Sequence, residues 1–183
     1  MARLVSTTYG EALFALAKEQ SKIDAFTEQI EMVQGVLAEN PEFSKLMNHP
    51  KIDKDEKIQI VETVFEGRLD KELTGFFRLI VEKDRYSEVE EILSFFMEQV
   101  KEEKGIGVAF VKSAKELTDV QKKQIEQKLL ETTSFRKMEM HFGVDEALIG
   151  GLVIRIGDKV VDSSIATKLS ELTRQLMKIQ LSM

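Results

Sequence analysis

The residues best suited to chemistry lie together in "DEALIGGLVIRIGDKVVDSS", Asp145 to Ser164. Asp145, Asp158 and Asp162 surround two adjacent glycines, Gly150 and Gly151. Glycines beside acids suggest two chemistries: a loop whose backbone N–H groups hold a phosphate, or carboxylates working as an acid–base pair. A phosphate loop of the P-loop type carries a lysine and a hydroxyl residue at fixed offsets and enters a helix. Gly150 and Gly151 instead enter Leu152–Ile156, where Leu152, Ile154 and Ile156 alternate with Val153 and Arg155 as in a strand. A dinucleotide fingerprint also fails, since no third glycine opens a helix. Glycines in this setting mark a bulge or a close backbone approach. "IGDKVVD" reads as a hairpin with Gly157 and Asp158 in its turn, which leaves Asp162 as a strand end or a helix cap. Paired-carboxylate catalysis needs two acids converging in a cleft, and this spacing does not suggest it.

Other chemistries have fewer candidates still. The chain has no cysteine, which excludes disulfides, thiolate metal sites and cysteine nucleophiles. His49 precedes Pro50 in a loop, and His141 sits in a strand-like run without a partner at metal-ligand spacing. The expectation is no catalytic, cofactor-binding or metal-binding residue, with Gly150, Gly151, Gly157 and Asp158 building a structural hairpin. A small nucleotide-dependent enzyme using Gly150–Gly151 stands as the minor alternative, and a generic helical adaptor as another.

The elements that must position these residues fall into two halves with different periods. Residues 1–105 read as helices: Val5, Tyr9, Ala12 and Leu16 share helical spacing, as do Ile23, Phe26, Ile30, Val33 and Leu37. Pro41 and Pro50 bracket a short helix with Phe43 and Leu46. Asp53 with Glu56, and Ser87 with Glu90, read as helix starts. Five long helices and one short one predict a six-helix bundle. After "KEEKGIG" the period changes to strand, helix, strand, strand, short strand, helix, a small α+β domain over residues 106–183. Thr118 and Gln121 predict a capping box, with Ile125 and Leu129 turned inward. Ser163 or Ser164 caps the last helix, whose stripe Ile165–Leu169–Leu172–Leu176–Ile179 is expected to be mostly domain core.

Charge separates the halves as well. Residues 1–105 hold 14 Lys/Arg against 22 Asp/Glu, net −8, and residues 106–183 hold 12 against 10, net +2. The total of −6 disfavours nucleic-acid binding as the main task. The longest apolar run, Ala147 to Ile154, is far short of the ~20 residues a membrane helix needs. The N-terminus shows no signal-peptide core, so a soluble, intracellular chain is expected.

Two helices carry more apolar surface than one buried stripe requires. Leu73, Phe76, Phe77, Leu79, Ile80 and Val81 spread over an arc of roughly 200° at the helical rotation. Phe14 points roughly opposite the centre of the Val5–Tyr9–Ala12–Leu16 stripe. Either both helices are central in the bundle, or they offer an apolar groove to a partner helix. Met177, Leu181 and Met183 near the C-terminus are adaptable contact surface or frayed tail.

Several segments together carry a resemblance over essentially the whole chain: "YGEALFALA", "NPEFSKLMNHPKI", "EKIQIVETVF", "FFRLIVEKDRYSEVEEI" and "DEALIGGLVIRIGDKVVDSSIATKLSEL". They resemble the delta subunit family of bacterial F-type ATP synthase, relatives of the mitochondrial oligomycin-sensitivity-conferring protein. Where the family usually has glycine after the Asp of "VVD", this chain has Ser163. The lack of a transit-like N-terminus resembles the bacterial form. The resemblance implies a non-catalytic stator subunit that clamps the catalytic head to the peripheral stalk. It implies no cofactor and no small-molecule substrate. Its site would be the cytoplasmic face of the bacterial plasma membrane, as a peripheral part of the complex. By the same resemblance residues 1–105 would bind the N-terminal segments of the alpha subunits, and residues 106–183 the ends of the b subunits. The family's groove lies on helices one and five, which here selects Tyr9, Phe14 and Leu79. Met177 and Leu181 are the candidates for the b subunits.

Overall fold

The computed structural model describes the backbone of residues 2–180 and the side chains of residues 4–172. Six α-helices come first: α1 (Ala2–Glu19), α2 (Ile23–Glu39), α3 (Pro41–Met47), α4 (Lys54–Phe65), α5 (Lys71–Glu82) and α6 (Val89–Glu103). Then follow β1 (Ile106–Ser113), α7 (Asp119–Thr132), β2 (Lys137–Val144), β3 (Leu152–Ile156), β4 (Lys159–Asp162) and α8 (Ile165–Gln180). The chain is mainly helical with a small mixed sheet near its C-terminal end. It divides into two compact units, Met1–Val100 and Lys101–Met183.

Local chemistry sets most helix ends. Pro41 opens α3, where its missing N–H costs nothing. Asp53 caps α4 by accepting the Lys54 N–H at 2.8 Å, without the expected reach to Glu56. Ser87 and Glu90 form no cap. The chain enters α6 through a short 3-10 turn, Tyr86–Glu88, and the Ser87 hydroxyl donates to Glu88 instead. Tyr86 is buried there and meets Phe43 edge-on, so side-chain packing rather than a polar cap aims the chain into α6.

The first unit is organised by aromatic residues. Phe26, Phe77 and Phe96 are the largest fully buried side chains, joined by Leu13, Ile30, Leu73, Ile80, Ile92 and Leu93. Phe65 stacks on Phe77 with ring centres 4.9 Å apart, tying α4 to α5, and Arg78 reaches Glu62 at 3.0 Å on the outer side of the same pair. Lys22, before α2, spans Asp70 and Glu72 at 3.5 and 3.4 Å.

The expected stripe of α1 is corrected. The buried positions are Ser6, Gly10, Leu13 and Ala17, whereas Ala12 is exposed and Val5, Tyr9 and Leu16 are half-buried. Three of the four buried residues are small, so hydropathy spacing does not reveal them. Close approach selects them: a side-chain carbon at Gly10 would run into Phe95 of α6.

In the second unit the sheet order is β2-β1-β3-β4. β1 and β2 are parallel and joined through α7, and β3 lies antiparallel to β1 and β4. One face carries Gly107, Ala109, Val111 and Ser113 of β1, beside Met138, Met140 and Phe142 of β2 and Leu152, Ile154 and Ile156 of β3. Thr118 and Gln121 form the expected capping box of α7. Ile125 and Leu129 are only half-buried, and none of α7's residues is fully buried. The expectation that α8 contributes mostly core is corrected over its described part: Ile165, Leu169 and Leu172 are exposed, while the side chains of Leu176 and Ile179 lie outside the described residues.

Candidate functional site

Asp145 and Asp162 are each held by local bonds, and Asp158 lies in a turn. Asp145 accepts the Ala147 N–H at 3.2 Å and turns the chain after β2, with Lys112 at 3.7 Å. Asp158 occupies the exposed turn between β3 and β4. Asp162 accepts from the Thr167 hydroxyl at 2.7 Å and the Ser164 N–H at 2.8 Å, and these bonds hold its carboxyl below the usual range. Asp158 and Asp162 sit at opposite ends of β4, roughly 13 Å apart at strand rise. An acid–base pair needs its members at one reacting centre, and these two cannot share one.

The glycine pair is likewise structural in its contacts. Gly151 has φ +82° and lies against Ser163 O, with Ser164 Cα 3.0 Å from where its side chain would begin. Gly150 faces Ile165, and its carbonyl accepts the Ile165 N–H at 2.9 Å. A phosphate cradle requires outward-facing N–H groups. Here Leu148, Ile149 and Gly150 donate theirs to Asp145, Glu146 and Leu148. Gly157 opens the two-residue turn between paired Ile156 and Lys159, with φ +55°, the glycine-first pattern of a type II′ turn.

Neither histidine is placed for catalysis. His49 Nδ1 accepts the Lys51 N–H at 3.2 Å. His141 stacks on Phe110 with ring centres 4.9 Å apart and lies 3.0 Å from Glu139. The Arg155 guanidinium covers Phe110 at 5.3 Å. Lys101, 2.6 Å from Glu139, and then His141 hold that carboxyl below its usual range. Sequence reading missed this cluster because it joins three strands, and only the register brings Phe110 opposite both His141 and Arg155. Among the described residues no group of three or more His, Asp or Glu is arranged to hold a metal.

The partner-binding candidates separate by exposure. Tyr9 and Phe14 are half-buried against the core, and Phe14 meets Phe96 edge-on at 6.2 Å. Leu79 is 39% exposed, while Leu73, Phe76, Phe77, Ile80 and Val81 of the same helix are buried. Gly75, one turn before Leu79, has open space where a side chain would start. The side chain of Met177 and all of Leu181 lie outside the described residues. In the second unit an apolar hollow is lined by Leu129, Phe135, Ile154, Ile156 and Val161. The half-buried face of α7 leaves it open.

Comparison with known proteins finds relatives that cover nearly the whole chain. The family model described as ATP synthase delta (OSCP) subunit matches residues 5–176. The ATP synthase subunit delta of Lachnoclostridium phytofermentans is 50% identical over 181 residues, 99% of this chain and 100% of that one. That of Prochlorococcus marinus is 32% identical over 174 residues, covering 95% and 97%. A chain in the cryo-EM structure of the Toxoplasma gondii mitochondrial ATP synthase hexamer superposes with a TM-score of 0.73 over 94% of this chain and 97% of that one. At 19% identity, this last likeness shows the fold alone. With the family model spanning nearly the whole chain and a full-length relative half identical to it, this chain belongs to the ATP synthase delta (OSCP) subunit family.

Proposed function

We propose that this chain joins the alpha subunits of the catalytic head to the b subunits of the peripheral stalk, through two separate surfaces. As a delta-family member it is a structural, non-catalytic stator subunit of ATP synthase. In this reading α1–α6 form one six-helix bundle that receives an alpha-subunit N-terminal helix at Tyr9, Phe14 and Leu79. Residues 106–183 engage the b subunits, with Met177 and Leu181 among the contacts. The subunit lies at the cytoplasmic face of the bacterial plasma membrane, held there by its partners. No helix among the described residues is long and apolar enough to cross a membrane.

The mechanism is mechanical. The head resists the rotor's torque only if its link to the stalk dissociates slowly under load. Two contacts on one chain make rebinding of either one intramolecular, which raises overall affinity without any new contact. The observation that best supports this reading is the division into two compact units, each with exposed apolar side chains: Leu79 in the first, and Val160, Val161 and Ile165 in the second.

Calorimetric titration of the full-length chain with a peptide from the alpha-subunit N-terminus tests the head contact. The expected result is one-to-one binding that Leu79→Asp weakens at unchanged thermal stability. Binding unaffected by that substitution would move the groove elsewhere, and absence of binding would remove the head contact from this chain.

A further inference from the structure

Three helices of the first unit hold a glycine in their interior, where it is disfavoured relative to alanine: Gly10 of α1, Gly35 of α2 and Gly75 of α5. Gly10 has its reason inside the chain, since Phe95 occupies the space a side chain would need. Gly35 has no such reason. Nothing lies within 4 Å of where its side chain would begin, and its φ is not positive. The helix by itself would be firmer with alanine there. A bare backbone is useful where another molecule comes close to it. Gly75 is equally open, but it already borders Leu79, the exposed residue of the head contact proposed above. Gly35 lies on a helix to which no partner has been assigned.

The surroundings of Gly35 supply the rest of a contact surface. Residues four apart form two neighbouring rows on the outer face of α2, Glu28–Met32–Val36 and Glu31–Gly35–Glu39, and all six are exposed. Met32 and Val36 are 54% and 48% exposed, whereas Phe26, Ile30, Val33 and Leu37 of the same helix are buried in the core. α2 contains no Lys or Arg. Glu28, Glu31 and Glu39 have no ion-pair partner among the described residues. Glu39 also stands in the last turn, where the helix dipole disfavours an acid. The face combines apolar side chains, bare backbone and uncompensated negative charge.

That combination selects the occupant. An anionic lipid surface or a nucleic acid would be repelled by the glutamates. A second copy meeting through the same face would set glutamates against glutamates. We infer that this face of α2 docks a basic amphipathic helix of a neighbouring chain of the complex. Its apolar residues would seat on Met32 and Val36, its backbone would approach Gly35, and its Lys or Arg side chains would meet Glu28, Glu31 and Glu39. The surface goes beyond the head and stalk contacts proposed above and uses none of their residues.

The test is titration of ATP synthase stripped of this subunit with the full-length chain, as wild type, Gly35→Leu and the double variant Glu28→Lys/Glu31→Lys. Gly35→Leu is expected to weaken binding by about tenfold, because the leucine blocks the close approach. The same change should keep or raise the unfolding midpoint of the free chain, since leucine is the better helix former. The double variant is expected to weaken binding by about several-fold and to flatten its salt dependence. The chain has no cysteine, so a photo-crosslinker on the single-cysteine variant Met32→Cys reports the occupant of this face by mass spectrometry. The expected crosslinked peptide carries Lys or Arg residues and apolar residues at helical spacing. Wild-type affinity in either binding variant would overturn the inference and leave the head and stalk reading standing. Failure of wild type to bind the stripped complex would overturn both. A lowered midpoint for Gly35→Leu would show that the glycine serves the chain's own fold, and would overturn the inference. A crosslink to a second copy of this chain, or to a peptide without basic residues, would overturn it as well.

Discussion

Gly10 of α1 lies directly against Phe95 of α6, so closely that a first side-chain carbon at Gly10 would lie 3.2 Å from Phe95 Cβ and Cγ and nearer still to its ring edge. One turn earlier the Ser6 hydroxyl reaches Glu91 at 3.4 Å, and one turn later Phe14 meets Phe96. These contacts follow the same order along both helices. α1 meets α6 where it has least side chain. Gly10→Ala would ordinarily stabilise an exposed helix position by ~1 kcal/mol. Here overpacking is expected to outweigh that, giving a net loss of about 1–2 kcal/mol and a lower midpoint in thermal unfolding. Phe95→Leu should recover part of the loss in the double variant. Additive effects of the two changes would show that the contact does not matter.

Phe14 and Leu79 should separate cleanly. Phe14→Asp places a charge against Phe96 and is expected to cost about 3 kcal/mol or more of stability in chemical denaturation. Leu79→Asp falls on an exposed flank and should stay within about 1 kcal/mol of wild type. Leu79 is therefore the informative position for partner binding, and equal destabilisation by both changes would place it in the core.

Gly151 and Gly157 share a positive φ but not an environment. Gly157→Ala meets open space and bears only the backbone penalty of about 1–2 kcal/mol. Gly151→Ala bears that penalty and also a collision with Ser163 O and Ser164 Cα. It should be the more damaging by denaturant titration, and should raise hydrogen exchange at the Ser163 and Ile165 amides. Equal costs would mean that the junction before α8 yields freely.

Thr118→Ala removes the hydroxyl that accepts the Gln121 N–H and donates to the Gln121 side chain at 3.1 Å, and it keeps the bond from the backbone N–H of position 118 to that side chain. Because α7 buries none of its residues fully, the cap carries an unusual share of its order. A loss of about 1 kcal/mol is expected, with faster exchange confined to the first turn of α7.

The Asp162 carboxyl is held below its usual range by Thr167 and Ser164, so its folded pKa lies below the unfolded value near 3.8. Such a group contributes stability that is present above the unfolded pKa and lost as pH falls through the folded one. Wild type should exceed Asp162→Asn in unfolding midpoint at pH 7, and the gap should close as the pH drops below 3.8. A gap independent of pH would mean that the carboxylate form is not what α8's first turn recognises.

Local chemistry was legible in the sequence wherever neighbours along the chain decide the outcome. The period change after residue 105, the Thr118–Gln121 box, Pro41 at the start of α3 and the Gly157–Asp158 turn all follow from short-range spacing. Tertiary structure decided what depends on distant partners. The buried face of α1 is Ser6–Gly10–Leu13–Ala17 because Phe95 and Phe96 demand a close approach, and small residues carry no hydropathy signal. The Phe110–His141–Arg155 stack depends on register across three strands. The apolar rhythm of α8 marks one face of the helix but does not say whether that face is covered. Only the folded chain shows Ile165, Leu169 and Leu172 to be exposed, because exposure depends on which distant residues pack against the helix.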